Sequence, residues 1–152
     1  MIREVPASAM AELAGTILEL GWSVRMRVKG DSMRPALLNG DEVWLAPAGA
    51  RGPRRGEMVA VRTADSMYIH RLVRRRRDGL ILTAGDNVSH RDAATRECAL
   101  LGVVRRVERD GRAFSPGRGH AALWLAEARR GWAAVGRRWS SLRLRSLGGT
   151  LR

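Results

Sequence analysis

Cysteine is nearly absent from this chain: Cys98 is the only one in 152 residues. That excludes a disulfide framework and any cysteine-based zinc site. Cys98 stands in the apolar run Cys98-Ala99-Leu100-Leu101-Gly102-Val103-Val104, where a small buried residue is expected. Lysine is equally scarce. Lys29 is the sole lysine among 28 basic residues, the other 27 being arginine. A skewed genomic base composition produces such a bias, so it is not read as arginine-specific recognition. Aromatic residues make up 5% of the chain, too few outside the tryptophans for a base-stacking nucleic-acid platform. No apolar run approaches the roughly 20 residues that span a bilayer. Glu12 and Glu19 interrupt the only apolar stretch near the start, so no signal peptide is expected. The expected location is the cytoplasm, with the inner membrane face as a peripheral site. Neither a metal centre nor a cofactor is expected.

Positive charge is abundant. The formal net charge is +13, which favours nucleic acid, anionic membranes or acidic partners and says nothing of fold. The hydrophobic fraction of 45% is that of a folded protein, and the length allows one domain with an appendage.

Residues 8–20 carry Met10, Leu13, Ile17 and Leu20 at helical spacing, with Ser8 as the expected cap and Gly21 as the stop. The period then changes. Trp22, Val24, Met26 and Val28 alternate with polar residues, predicting a half-buried strand. Further strands are predicted at 42–46, 57–63, 67–74, 79–83 and 99–108, separated by turn-rich stretches such as "APAGARGPRRG" and an exposed tip at Arg74–Arg77. The expected fold is mainly β: a compact coiled-sheet or barrel-like domain over 1–110, with an N-terminal helix. Residues 111–152 are expected to form a linker and a basic amphipathic helix. They hold nine arginines against one acid, Glu127, and an apolar stripe running Ala121, Leu125, Ala128, Trp132, Val135, Trp139 and Leu142. An anionic membrane surface is the expected partner of 119–145, although the stripe equally suits docking on the β domain.

Ser32 sits in "KGDSMRPALLNGDEVWLAP", after a glycine-aspartate pair. A serine hydroxyl is a weak nucleophile and needs a base. Lys29 lies three residues before it on the same strand, so a base arriving from another strand must be a histidine. His120 falls in the linker, His90 in the polar loop "GDNVSHRD", and His70 in "MYIHRLV", an alternating stretch that holds a ring rigidly. On residue types alone, a turn serine and a strand-face histidine explain the pair as well.

Four ordered boxes, "GDSMRPALLNGDEVWLAP", "RRGEMVAV", "YIHRLV" and "TAGDNVSHRDA", resemble those of the signal-peptidase and LexA-like serine peptidases (the S24/S26 superfamily) over about residues 26–108. The resemblance implies Ser32 as nucleophile. It implies His70 as general base, in the place where bacterial leader peptidases carry lysine and where the endoplasmic-reticulum and archaeal type carries histidine. Asp92 takes the place of the orienting acid, with Asp86 of the Gly-Asp-Asn turn as the alternative. The Ser32 backbone amide and the Gly30 region would form the oxyanion hole, Gly30 replacing the serine or threonine of many signal peptidases. Met33 and Pro35 are implied at the substrate site. Asp41 and Glu57 fall on glycine-acid turns. The implied partner is an extended peptide or precursor protein. The implied activity is that of a serine endopeptidase cleaving a leader, signal or propeptide, here without a transmembrane anchor. A LexA-like self-cleaving regulator and a non-catalytic basic binding module on a peptidase fold are the alternatives.

Overall fold

The computed structural model describes residues 6–118. One helix, α1 (Ala7–Glu19), precedes eight strands: β1 (Val24–Arg27), β2 (Glu42–Ala46), β3 (Met58–Arg62), β4 (Met67–Arg75), β5 (Leu80–Ala84), β6 (Thr95–Arg96), β7 (Leu100–Arg109) and β8 (Arg112–Phe114). They form a single curled antiparallel sheet in the order β1-β2-β7-β3-β4-β5-β6, with β8 on β7. Bulges in the β2–β7, β3–β7 and β4–β5 pairings supply the bending that a sheet this wide requires. The fold is mainly β, as the alternating patterns predict.

The sheet is apolar on both faces of its centre. Leu37, Val43, Leu45, Met58, Ala60, Val104 and Val107 form one cluster with Leu18 of α1. Val59, Val61, Leu72, Ile81 and Val103 form the other. Consecutive residues of β3 thus enter different clusters, and the strand reads as a continuous apolar run.

Helix α1 packs through a different stripe from the one expected. Ala11, Ala14, Gly15 and Leu18 are buried, while Leu13 and Leu20 are 54% and 70% exposed. The small residues allow close approach: a Cβ on Gly15 would lie 3.3 Å from Leu101. Ser8 is not the cap. The helix begins at Ala7 behind Pro6, with no side-chain cap, and Gly21 (φ +86°) ends it. Trp22, expected on the inner face of the first strand, is 71% exposed because β1 starts only at Val24.

Two further expectations are corrected. Cys98 is exposed, since it sits in a short 3₁₀ turn (Glu97–Ala99) outside the buried part of β7. The stretch read as a linker begins with β8, which a tight turn at Asp110 (φ 51°) and Gly111 (φ 72°) folds back onto β7. His120 and the predicted basic helix over 119–145 lie outside the described residues.

Candidate active site

The Ser32 loop runs from β1 to β2 and is closed by its own turn chemistry. Val28 and Gly40 are linked across its neck by Val28 N–H to Asp41 O (2.8 Å) and Gly40 N–H to Val28 O (2.9 Å). The Asp41 carboxylate accepts the Leu38 amide and is clamped by Arg109 at 2.7 and 2.9 Å. That arginine is the main reason its carboxyl lies below the usual carboxylate range. Glu57 plays the same part in its own turn, accepting the Arg54 amide at 2.7 Å and Arg105 at 2.8 Å. Gly30 adopts φ +92° and donates its N–H to Asn39 Oδ1 at 3.1 Å. Such a bend is open to glycine and strained for most other residues.

Three elements distant in sequence meet at Ser32. His70, on β4, places Nε2 at 3.0 Å from Ser32 Oγ. Its Nδ1 lies 2.6 Å from Asp92 Oδ2. Asp92 is held at the edge of β5, where its N–H donates to the Thr83 carbonyl at 3.0 Å. The Thr83 hydroxyl donates to the same Asp92 oxygen at 2.5 Å. Burial disfavours charge on Asp92, but the hydrogen bonds from His70 and Thr83, with the imidazoles of His70 and His90 nearby, outweigh it and hold the carboxyl below its usual range.

An ionised Asp92 accepts only, so the Nδ1 proton of His70 points at it and Nε2 is left to accept from Ser32. The Thr83 proton is committed to Asp92. The 3.3 Å contact between Tyr68 Oη and Thr83 Oγ1 is therefore donated by the phenol. Burial is the main reason the Tyr68 pKa lies above that of a free phenol, and the Asp92 charge adds to the rise. The Tyr68 and His70 rings, two residues apart on β4, stand 4.8 Å apart.

The loop after β5 fixes the serine from the other side. Asn87 donates its backbone N–H to Ser32 O at 2.8 Å and its side-chain amide to Asp31 O at 3.2 Å. Gly85 makes this approach possible: a Cβ there would lie 2.6 Å from Ser32 O and 3.2 Å from His70 Nε2. Asp86, between them, does not join the histidine. Its carboxylate takes Arg71 Nε at 2.8 and 3.0 Å, and Arg71 also donates to Gly56 O at 2.8 Å. Both groups are buried, so the pair ties β4 to the Gly-Asp-Asn turn.

Of the sequence-predicted site, Ser32, His70 and Asp92 come together, whereas the alternative Asp86 pairs with Arg71 instead of His70. The Ser32 N–H donates to nothing among the described residues, whereas the Gly30 amide is taken by Asn39. Met33 lines a cleft of about 740 Å³ between β1 and the start of β4, together with Met26, Val28, Met67, Tyr68 and Ile69. Ser32 opens into this cleft, and β1, an end strand of the sheet, flanks it with an edge unpaired among the described residues. Pro35 is exposed and is not one of the lining residues. His90 is exposed and makes no hydrogen bond to the triad, and Lys29 lines the cleft without a bond to Ser32.

Residues 16–105 match the model of the Peptidase S24-like family, more than half of the chain. The chain belongs to the Peptidase S24-like family. Among curated proteins none matches it. Membership in the S24-like family places the chain in the LexA-like serine-peptidase superfamily, and the matched span covers the Ser32 loop, His70, Thr83 and Asp92 together. Residues that sequence reasoning passed over are Thr83, Tyr68, Arg71, Asn87 and Gly85. The "TAGDN" box was the signal for three members of the surrounding turn, but a lone threonine ending a strand carries no mark of its own.

Proposed function

We propose that this S24-like protein is a serine endopeptidase of the histidine type, using Ser32 as nucleophile, His70 as general base and Asp92 as the acid that orients it. The observation that carries the reading is the unbroken chain of contacts from Ser32 Oγ to His70 Nε2 (3.0 Å) and from His70 Nδ1 to Asp92 Oδ2 (2.6 Å). Hydrogen-bond reach between nucleophile and base, with the base oriented by a third group, is what acyl transfer requires.

A peptide entering the cleft pairs with that edge of β1 and presents its carbonyl carbon to Ser32 Oγ. As the C–O bond forms, the hydroxyl proton passes to His70 Nε2, and Asp92 stabilises the resulting imidazolium. The Ser32 N–H donates to the carbonyl oxygen as it gains charge. The tetrahedral intermediate collapses, the C–N bond breaks, and His70 returns the proton to the leaving amine. Water then repeats the sequence on the acyl-enzyme. The methionines, valine and isoleucine of the cleft favour small or apolar side chains beside the scissile bond. A leader or propeptide with such a segment is the proposed substrate.

The experiment is incubation with a mixed peptide library and mass-spectrometric identification of the cut positions. The reading expects cleavage after small or apolar residues that disappears in Ser32→Ala. Equal cleavage by Ser32→Ala contradicts it. Family membership also favours self-cleavage as a second reading. Intact-mass measurement on the chain alone separates the two, since self-cleavage shortens the chain without added peptide.

A further inference from the structure

Side chains alternate along β1 and the two residues that follow it. Val24, Met26 and Val28 are partly buried and pack on the cluster around Leu37 and Val43, beside Met67 and Ile69. Arg25, Arg27 and Lys29 point the other way and are exposed. All three nonetheless line the cleft of about 740 Å³ into which Ser32 opens. Glu42, opposite Arg27 on β2, joins two of them: it accepts from Arg25 Nε at 2.8 Å and lies 3.5 Å from Arg27 Nη2.

This side of the cleft carries more positive charge than its surroundings neutralise. Among the described residues that line the cleft there is no acid. Glu42 stands one strand away and serves both arginines. The other nearby acids have arginines of their own: Glu108 lies 3.8 Å from Arg106, and Asp31 lies 3.7 Å from Arg34. The Lys29 ammonium has no partner among the described residues. Three cations thus share one carboxylate.

Backbone pairing gives these cations a register. Val28 donates its N–H to Asp41 O at 2.8 Å and accepts the Gly40 N–H at 2.9 Å, so its polar backbone groups face β2. In an antiparallel ladder that orientation alternates from residue to residue. Met26 therefore turns its N–H and C=O toward β2, while Arg25 and Arg27 turn theirs toward the edge that is unpaired among the described residues. A strand added at that edge exchanges its hydrogen bonds with Arg25 and Arg27. Every second residue of such a strand carries its side chain on the arginine side, with Cβ atoms about 5 Å from theirs. The residues between them face Met26, Met67 and Ile69.

We propose that this cleft selects extended peptides in which small or apolar residues alternate with aspartate or glutamate, the acids meeting Arg25, Arg27 and Lys29. The inference rests on the reading of the cleft as a peptide site and adds a charge rule to it. The apolar set enters the cleft beside Ser32, and the acidic set stays at its exposed rim, where an ion pair costs little desolvation. A peptide acid draws first on Lys29, which no described group holds, and on Arg27, which Glu42 holds only at 3.5 Å. A basic residue in the same place meets three like charges and is rejected.

The test uses the full chain carrying Ser32→Ala, so that peptides are bound and not cut, and fluorescence anisotropy with labelled octapeptides. Three octapeptides share alanine and valine at alternate positions and carry glutamate, glutamine or lysine at the others. An exposed ion pair is worth a factor of about 1.5 to 5, so three together are expected to make the glutamate peptide bind about tenfold tighter than the glutamine peptide. The lysine peptide is expected to bind weakest, and the differences to shrink as salt rises. Adding Arg25→Gln, Arg27→Gln and Lys29→Gln together is expected to abolish the preference in a protein that still melts cooperatively. Lys29→Gln alone, which removes no contact within the described fold, is expected to lose a few-fold of it. Equal binding of the glutamate and glutamine peptides before these changes overturns the proposal, as does an undiminished preference in either variant. So does equal binding of a peptide of the same composition with its glutamates contiguous, because alternation then plays no part. Failure of every peptide to bind also overturns it, and acylation of Ser32 in the unaltered chain judges the catalytic reading separately.

Discussion

Replacing Gly85 with alanine adds one methyl group at the point where the Ser32 loop meets the turn after β5. Gly85 has an ordinary φ, so alanine costs the backbone nothing and the effect is purely steric. The new Cβ would sit 2.6 Å from the Ser32 carbonyl oxygen and 3.0 Å from Val88 Cγ2. Unstrained contact begins near 3.4 Å, so the carbonyl has to retreat by about 0.8 Å. That retreat stretches the 2.8 Å Asn87 bond and carries Ser32 Oγ out of hydrogen-bond reach of His70, now 3.0 Å away. A misplacement of about 1 Å at reacting groups costs on the order of 10²-fold. Overpacking costs about 1–3 kcal/mol, which lowers the melting temperature of a domain this size by roughly 5–20 °C. The assay is the rate at which a serine-directed acylating probe labels the protein, measured well below the melting point of both forms. The expected result is a loss of about a hundredfold in a folded protein. Labelling at the unaltered rate would show that Ser32 is not held by this contact, and the reasoning about the loop would fail.

Other expectations rest on the same geometry. Asp92→Asn leaves the shape intact but removes the acceptor for the His70 Nδ1 proton, and labelling is expected to fall by about 10³–10⁴-fold. Because the Asp92 carboxyl is held below its usual range, its charge stabilises the fold above the unfolded pKa and that contribution is lost as pH falls through the lower folded value. The stability gap between the unaltered protein and Asp92→Asn, followed by urea unfolding, is expected to be constant above about pH 5 and to narrow below about pH 4. Asp86→Ala strands the buried Arg71 and is expected to cost about 3–5 kcal/mol in the same unfolding assay. A small loss would mean water reaches the pair. His90→Ala is expected to leave labelling within a few-fold, since His90 touches Asp92 only through its field.

Much of the fold could be read from periodicity. The alternation at 42–46 predicted β2 to the residue, and the strands at 67–74 and 99–108 were displaced by one position at most. The failures have local causes. β6 is two residues long, below any period, and β8 hid behind arginine-rich sequence although Asp110-Gly111 is a hairpin signal. Hydropathy misplaced the buried side of α1 because the sheet accepts a helix at close range only through Ala11, Ala14 and Gly15. At the site, residue types alone left Ser32 and His70 open to a purely structural reading, and the four ordered boxes that resemble the serine peptidases singled them out. Arg71 was left unmarked: an arginine next to that histidine looks solvated in sequence, and only the fold shows its burial against Asp86. Thr83 escaped for a similar reason, its role depending entirely on the return of Asp92 to the edge of β5.

The claim on which the catalytic account depends is that the Ser32 hydroxyl gives its proton to His70. Exposure of the full chain to a serine-directed acylating probe, followed by peptide mapping, tests it most directly. The account predicts a single adduct on Ser32 that vanishes in His70→Ala while the melting curve is retained. An adduct on another residue, or one on Ser32 that forms equally fast without the imidazole, would contradict it.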